Sequence, residues 1–124
     1  MKKSLKIKEN PFKVGDILCL TWGYSMIIVQ FYEVTRVTPS KVGLVELKQK
    51  EVSTGYLSGY TKPLLGEYIE PDGTAYNVHP DKLYSVRPGY KDEPVVRIPD
   101  YPNGPDYRSA HIWSGRDVYF DHCD

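Results

Sequence analysis

Short runs of apolar residues, separated by turn residues, predict antiparallel strands in the first half of the chain. Residues 17–21 are apolar, residues 26–37 are rich in Ile, Val, Phe and Tyr, and residues 42–52 alternate between apolar and polar positions. Turn signals lie before the first run at 14–16 and between the second and third at 38–41. Because β-branched and aromatic residues favour strands, the pattern predicts a three-stranded antiparallel meander.

Two details of the pattern assign side chains to the faces of these strands. In the second run the apolar phase slips around Glu33, which predicts a β-bulge at residues 31–33. In the third run Val45 and Leu47 share one face, and Glu46 and Lys48 lie on the opposite, polar face.

Glycine and proline recur at short intervals in the second half of the chain. Residues 53–98 are therefore expected to form short strands and turns, with a hairpin around 71–73 and one more strand at 95–98. In residues 99–124, prolines alternate with aromatic and arginine residues, and proline at this spacing opposes a central strand. This last segment is expected to pack as an irregular arm on its own domain or on a neighbour.

A chain of 124 residues with 40% hydrophobic content fits a single domain, residues 1–124, with one core. The expected fold is mainly β: a small antiparallel β-sheet or SH3-like partial barrel with an irregular Pro/Tyr-rich C-terminal arm and little helix. Its three parts are the meander (1–52), the short strands and turns (53–98) and the arm (99–124).

The distribution of charge and of apolar residues limits the kinds of partner that the protein can bind. Residues 1–50 carry nine Lys/Arg against four Asp/Glu, a net of +5, whereas residues 51–124 carry seven against twelve, a net of −5. The protein has no overall basic footprint for duplex nucleic acid. Its complementary halves favour a homo-oligomer, although a short basic start at residues 2–8 and an acidic tail explain the asymmetry equally well. No run reaches the roughly 20 apolar residues of a membrane span, and no signal peptide is evident. The two cysteines, Cys19 and Cys123, set no disulfide framework, and a cytoplasmic location is expected.

Catalytic and metal signatures are weak. His79, His111 and His122 lack the spacing of metal ligands, and there is no phosphate-binding loop or dinucleotide fingerprint. Cys19 lies in an apolar strand, where a small core residue is the usual role, although a Cys–His pair formed in the fold stays open. The sequence therefore predicts a protein that is not an enzyme and has no metal or cofactor.

Binding chemistry is better represented, because large aromatic residues occur beside arginines and glycines. Aromatic rings stack on bases, and arginine pairs with phosphate through two parallel hydrogen bonds. Such residues fit a compact, anionic, base-containing ligand. The candidate ligand-binding residues are Trp22, Tyr24, Arg87, Tyr90, Arg97, Arg108, Trp113 and Arg116.

Several motifs resemble a family of small phage and prophage proteins with a V-G-D-I start, a W-G-Y turn and an F-Y-x-V strand. They lie at residues 14–17, 22–24 and 31–34, and the likeness covers about the first 50 residues, with a W-x-G echo at 113–115. The chain is similar in particular to the Thoeris anti-defence proteins of phages. That resemblance implies an oligomeric protein of the bacterial host cytoplasm that sequesters a cyclic ADP-ribose-like immune signal without cleaving it.

Two other functions stay open. An SH3-like or Tudor-like interaction module would bind a protein or nucleic acid with aromatics at one end of a short barrel. A nucleotide-acting enzyme with a nonstandard site would instead change its ligand chemically.

Overall fold

The computed structural model describes residues 10–23, 26–69, 78–79, 81–99 and 107–122, which form eight antiparallel strands and one short 3-10 turn. The mainly β fold class is confirmed. The strands are β1 (Ile17–Trp22), β2 (Ile28–Val37), β3 (Lys41–Gly55), β4 (Ser58–Tyr68), β5 (Tyr84–Pro88), β6 (Pro94–Pro99), β7 (Tyr107–Ile112) and β8 (Val118–Asp121). The 3-10 turn spans Tyr90–Asp92.

Six of the strands pair in a ring, and two of its contacts consist of only two residue pairs each. The order is β1–β2–β3–β5–β6–β7, and β7 returns to β1 through the pairs Leu18–Ile112 and Cys19–His111. The second of these short contacts joins β3 to β5 through the pairs Lys41–Ser85 and Val42–Tyr84. The ring is thus a small partial barrel that encloses its own core.

The remaining strands extend this barrel on one side. The C-terminal half of β3 pairs with β4, and β4 pairs with β8. A bridge between Ile27 and Asp121 connects β8 back to the chain just before β2, with both backbone hydrogen bonds made, at 2.7 and 2.9 Å. Strands β2, β3, β4 and β8 therefore surround a second packing space.

Two hydrophobic clusters fill these spaces. The barrel cluster is centred on fully buried residues such as Leu18, Tyr32 and Leu44. The second cluster contains Phe31 and Leu47, both fully buried, with Trp113 packed against it. Because β2 and β3 lie between the two clusters, each buries both of its faces along part of its length.

The predicted meander is confirmed, because β1 pairs with β2 and β2 with β3, all antiparallel. The turn at 14–16 is confirmed as well: the Lys13 amide donates to the Asp16 carboxylate at 2.8 Å, and Gly15 has a φ of +96°. The second turn closes through the Thr38 amide and the Lys41 carbonyl at 2.9 Å.

The predicted bulge at 31–33 is misplaced. The register of β2 against β3 shifts between Val34 and Arg36, so the extra residue is Thr35. Phe31 and Tyr32 are consecutive and both fully buried, one in each cluster. Two adjacent apolar residues are compatible with a regular strand at this point, because both faces of β2 are covered. No bulge is required to bury them.

The same cause overturns the prediction of a polar face on β3. Glu46 is only 7% exposed, because it points toward the barrel side while Leu47 points into the second cluster. Lys48, two residues further, is exposed as predicted. The polar face of β3 therefore begins after Glu46 rather than at it.

The second half is more regular than its glycines and prolines predict. β4 runs for 11 residues through Gly59 and Pro63, and β6 confirms the strand expected at 95–98. The segment expected to be an irregular arm contains β7 and β8, and β7 lies between β1 and β6. Its prolines stop before Tyr107, so they do not oppose these strands. The hairpin expected at 71–73 lies outside the described residues.

Candidate functional site

The structure separates the eight predicted ligand residues into several places. Trp22 and Arg108 meet at one end of the barrel, and Arg87 and Arg97 line a groove on its outer surface. Tyr24 lies outside the described residues. The other three residues, Tyr90, Trp113 and Arg116, line neither of these depressions.

A polar network occupies the barrel end. Trp22, the last residue of β1, is half-buried, and the Arg108 guanidinium lies 4.3 Å from the centre of its ring. The indole N–H of Trp22 donates to the Gln30 Oε1 at 2.7 Å, and the Gln30 amide donates to the Glu46 Oε2 at 3.2 Å. Alternation along the strands explains the grouping, since Trp22, Gln30 and Glu46 lie on the side of the barrel core.

Two buried groups at this end of the barrel have raised pKa values. Burial raises the pKa of Glu46 above its ordinary value, and the hydrogen bond from Gln30 opposes that rise. Burial also raises the pKa of Tyr32, with the nearby Glu46 adding to the shift. The Tyr32 hydroxyl has no hydrogen-bond partner among the described residues and lines the same small depression as Trp22 and Arg108.

Glu46→Gln is expected to raise the free energy of unfolding at neutral pH and to change it little in acid. The folded pKa of Glu46 is raised above 4.5, so its favourable contribution is complete below the pKa of the unfolded chain and is lost as the pH rises through the folded pKa. Glutamine retains the acceptor for Gln30 but carries no charge. Urea unfolding of both proteins at about pH 4 and about pH 8 measures the difference. A pH-independent difference would contradict burial of the carboxylate.

The basic groove lies on the outer face of β5, β6 and β7. It has a volume of about 210 Å³, and among the described residues its lining includes three cationic side chains, Lys82, Arg87 and Arg97, and no carboxylate. Arg97 lies 5.0 Å from the ring centre of Tyr107, which is 52% exposed. Val86, Val96 and Ile98 pack in the barrel cluster, so alternation directs Arg87 and Arg97 outward from the barrel core.

Trp113 and Arg116 lie in the connection between β7 and β8. The Trp113 ring packs edge-to-face on Phe31, with the ring centres 6.1 Å apart, and its indole N–H donates to the Arg116 carbonyl at 2.7 Å. The Arg116 side chain is exposed. Tyr90 is 83% exposed in the 3-10 turn.

Sequence reasoning missed several residues of the barrel end and of the basic groove. Glu46 and Tyr32 were hidden because strand alternation alone does not reveal that a ring closes over a polar face. Tyr107 carried a usable signal, since it directly precedes the predicted Arg108, whereas Lys82 lies five residues before Arg87 and had none. Cys19 is the small core residue expected, and burial raises the pKa of its thiol to about 11.

Two further features concern metal ions and membranes. Those ranges contain no cluster of three or more His, Cys, Asp or Glu side chains suited to a metal ion. In the part of the chain that the structure describes, no helix has the length and apolar character needed to cross a membrane.

The fold and the two depressions define a small antiparallel partial barrel with a strand extension, a polar barrel end and a basic outer groove. Comparisons with protein-family models, with curated proteins and with solved structures found no match.

Proposed function

We propose that this protein captures a compact, phosphate-bearing, nucleotide-type ligand in the basic groove and holds it without cleaving it. The observation that carries this proposal is the convergence of Lys82, Arg87 and Arg97 around one groove whose described lining has no carboxylate. Arginine binds phosphate through paired hydrogen bonds, and lysine adds a point charge. The exposed ring of Tyr107 offers a stacking surface for a base.

The ligand class proposed is a cyclic ADP-ribose-like immune signal, sequestered in the bacterial host cytoplasm as in the phage anti-defence proteins that the first 50 residues resemble. The groove, at about 210 Å³, is smaller than the roughly 300–1,000 Å³ of typical small-molecule sites. A nucleotide bound there leaves part of its surface uncovered. A second copy of the chain in a homo-oligomer would cover that part.

Release of intact ligand on denaturation tests the proposal. Purified protein is incubated with a panel of cyclic ADP-ribose isomers and cyclic oligonucleotides, filtered, and then heat-denatured, and each fraction is analysed by mass spectrometry. Ligand that stays with the protein and is recovered intact supports capture. Ligand left in the filtrate contradicts capture and favours an interaction module, whereas altered ligand would indicate an enzyme.

Arg97→Gln is expected to weaken ligand binding about 10- to 150-fold, because it removes a charged hydrogen bond worth about 1.5–3 kcal/mol. Arg87→Gln should act in the same direction, and calorimetric titration of the captured ligand measures both. Arg116→Gln is the matched control, since it removes the same charge from an exposed position beyond the opposite end of β7. Equal affinity of Arg97→Gln and the unchanged protein would exclude the groove as the phosphate site.

A further inference from the structure

A row of exposed side chains crosses the outer face of the strand extension. Val52 of β3 pairs with Tyr60 of β4, and Tyr60 pairs with Tyr119 of β8. The three are 54%, 45% and 40% exposed, and the two tyrosine rings meet edge-to-face with their centres 5.7 Å apart. We call the surface formed by Val52, Tyr60 and Tyr119, together with Lys50 and Lys62, the tyrosine face.

The opposite side of the same strands is packed. Thr61 is 1% exposed and Phe120 is 3% exposed, and each neighbours a tyrosine of the face in sequence. Thr61 is also held by a 2.7 Å hydrogen bond from its hydroxyl to the Gln49 side chain. The rings of Tyr60 and Tyr119 are thus presented by strands that are fixed from behind.

Positive charge borders the row. Lys50 pairs directly with Lys62, two residues along from Val52 and Tyr60, so both lysines are on the tyrosine face, and both are exposed. Like charges directly opposite each other on neighbouring strands are destabilising. An anionic partner that lies across the face would remove this repulsion. Asp117, the residue just before β8, places one exposed carboxylate at the Lys62 end of the face, and the half-buried Asp121, which pairs with Ser58, lies on the other side of the tyrosines.

We infer that the tyrosine face binds single-stranded nucleic acid, with bases stacked on Tyr60 and Tyr119 and phosphates held by Lys50 and Lys62. Exposed aromatic rings beside cationic side chains are the recurring elements of such sites, and stacking tolerates any base sequence. A duplex keeps its bases stacked inside and is a poorer partner. A second copy of the chain is disfavoured, because a two-fold interface on this patch would enclose Lys50 and Lys62 of both copies, and removing these charges from water is costly.

The site is separate from the basic groove. The tyrosine face is built on β3, β4 and β8, whereas the described lining of the groove comes from β5, β6, β7 and the residues just before β5. This inference does not rest on the proposed capture of a nucleotide. Arg97→Gln, which weakens binding in the groove, is expected to leave binding at the tyrosine face unchanged.

Fluorescence anisotropy with labelled oligo(dT) and oligo(U) at low salt tests the inference. Tyr60→Ala is expected to weaken binding about 5- to 150-fold because one stacked base is no longer held, and Tyr60→Phe should retain the affinity. Replacing Lys50 and Lys62 by Gln should reduce the slope of log affinity against log salt by about 1.4, at about 0.7 for each phosphate that is no longer neutralised. Asp117→Asn should strengthen binding.

Tyr90→Ala is the control, because it removes an exposed tyrosine from the 3-10 turn, away from the tyrosine face. Circular dichroism and thermal melting establish that each variant is folded. The inference is overturned if neither oligonucleotide binds the unchanged protein, or if Tyr60→Ala and Tyr90→Ala bind alike. It is also overturned if light scattering shows a dimer that Tyr60→Ala dissociates, since the face would then join two copies.

Discussion

Phe31→Ala is expected to lower the free energy of unfolding by about 3–5 kcal/mol, which is a large part of the roughly 5–15 kcal/mol that keeps a typical domain folded. Phe31 is fully buried at the centre of the second cluster, with Leu47 on the neighbouring strand and Trp113 edge-to-face on its ring. The substitution removes apolar surface from a packed space and leaves a cavity that rigid strands close only in part. Urea unfolding followed by far-UV circular dichroism measures the decrease.

Val14→Ala is the control for this prediction. Val14 is 66% exposed in the turn before β1, so its truncation should change the free energy of unfolding by no more than about 0.5 kcal/mol. A cost below about 1 kcal/mol for Phe31→Ala, far under the usual range for a buried phenylalanine, would mean that the β4 and β8 extension does not cover β2. In that case the second cluster would be absent in solution.

The meander was predictable because its signals are local. Turn residues at 14–16 and 38–41 separate three runs of strand-forming residues, and the hydrogen bonds that close both turns join residues three apart. β7 and β8 gave no comparable signal. Their places depend on pairing with β1 and β4, strands that are far away in sequence, and such pairing leaves no periodic trace in the segment itself.

The polarity of β3 illustrates the same limit. Alternation places Glu46 and Lys48 on the same face of β3, but their burial differs. Glu46 is covered where the barrel closes, whereas Lys48 lies beyond that point and is exposed. The buried carboxylate is tolerated through Gln30, which links it to Trp22. A pattern with period two reports which residues share a face, but not how far along the strand that face stays covered.

The sequence predicted which types of residue occur in the candidate site, but not which of them lie close together in the fold. Arginine and aromatic residues were chosen because they bind phosphate and bases, and two such pairs do meet: Trp22 with Arg108, and Arg87 with Arg97 in one groove. Trp22 and Arg108 come from opposite ends of the chain. They meet because β1 and β7 close the ring, which no spacing in the sequence indicates.

Gly59→Ala is expected to destabilise the hairpin of β3 and β4 by about 1–3 kcal/mol or more. A Cβ at Gly59 would overlap the Val52 carbonyl oxygen and lie 2.8 Å from the Ser53 Cα, and both are backbone atoms. The two strands must therefore move apart, and the pairing of β4 with β8 is disturbed because Gly59 also pairs with Phe120. Urea unfolding measures the destabilisation, and faster amide hydrogen exchange in β4 locates it.

Gly55→Ala, in the same hairpin, separates this close approach from a general effect of adding a methyl group. The nearest atom to a Cβ at Gly55 is the Ser58 Oγ at 3.0 Å, which side-chain rotation can move away. Its stability should be unchanged or slightly raised, because alanine restricts the unfolded chain. If Gly59→Ala were as stable as Gly55→Ala, β4 would not approach the backbone of β3 this closely. The tyrosine face, which depends on that pairing to bring Tyr60 beside Val52, would then lose its structural basis.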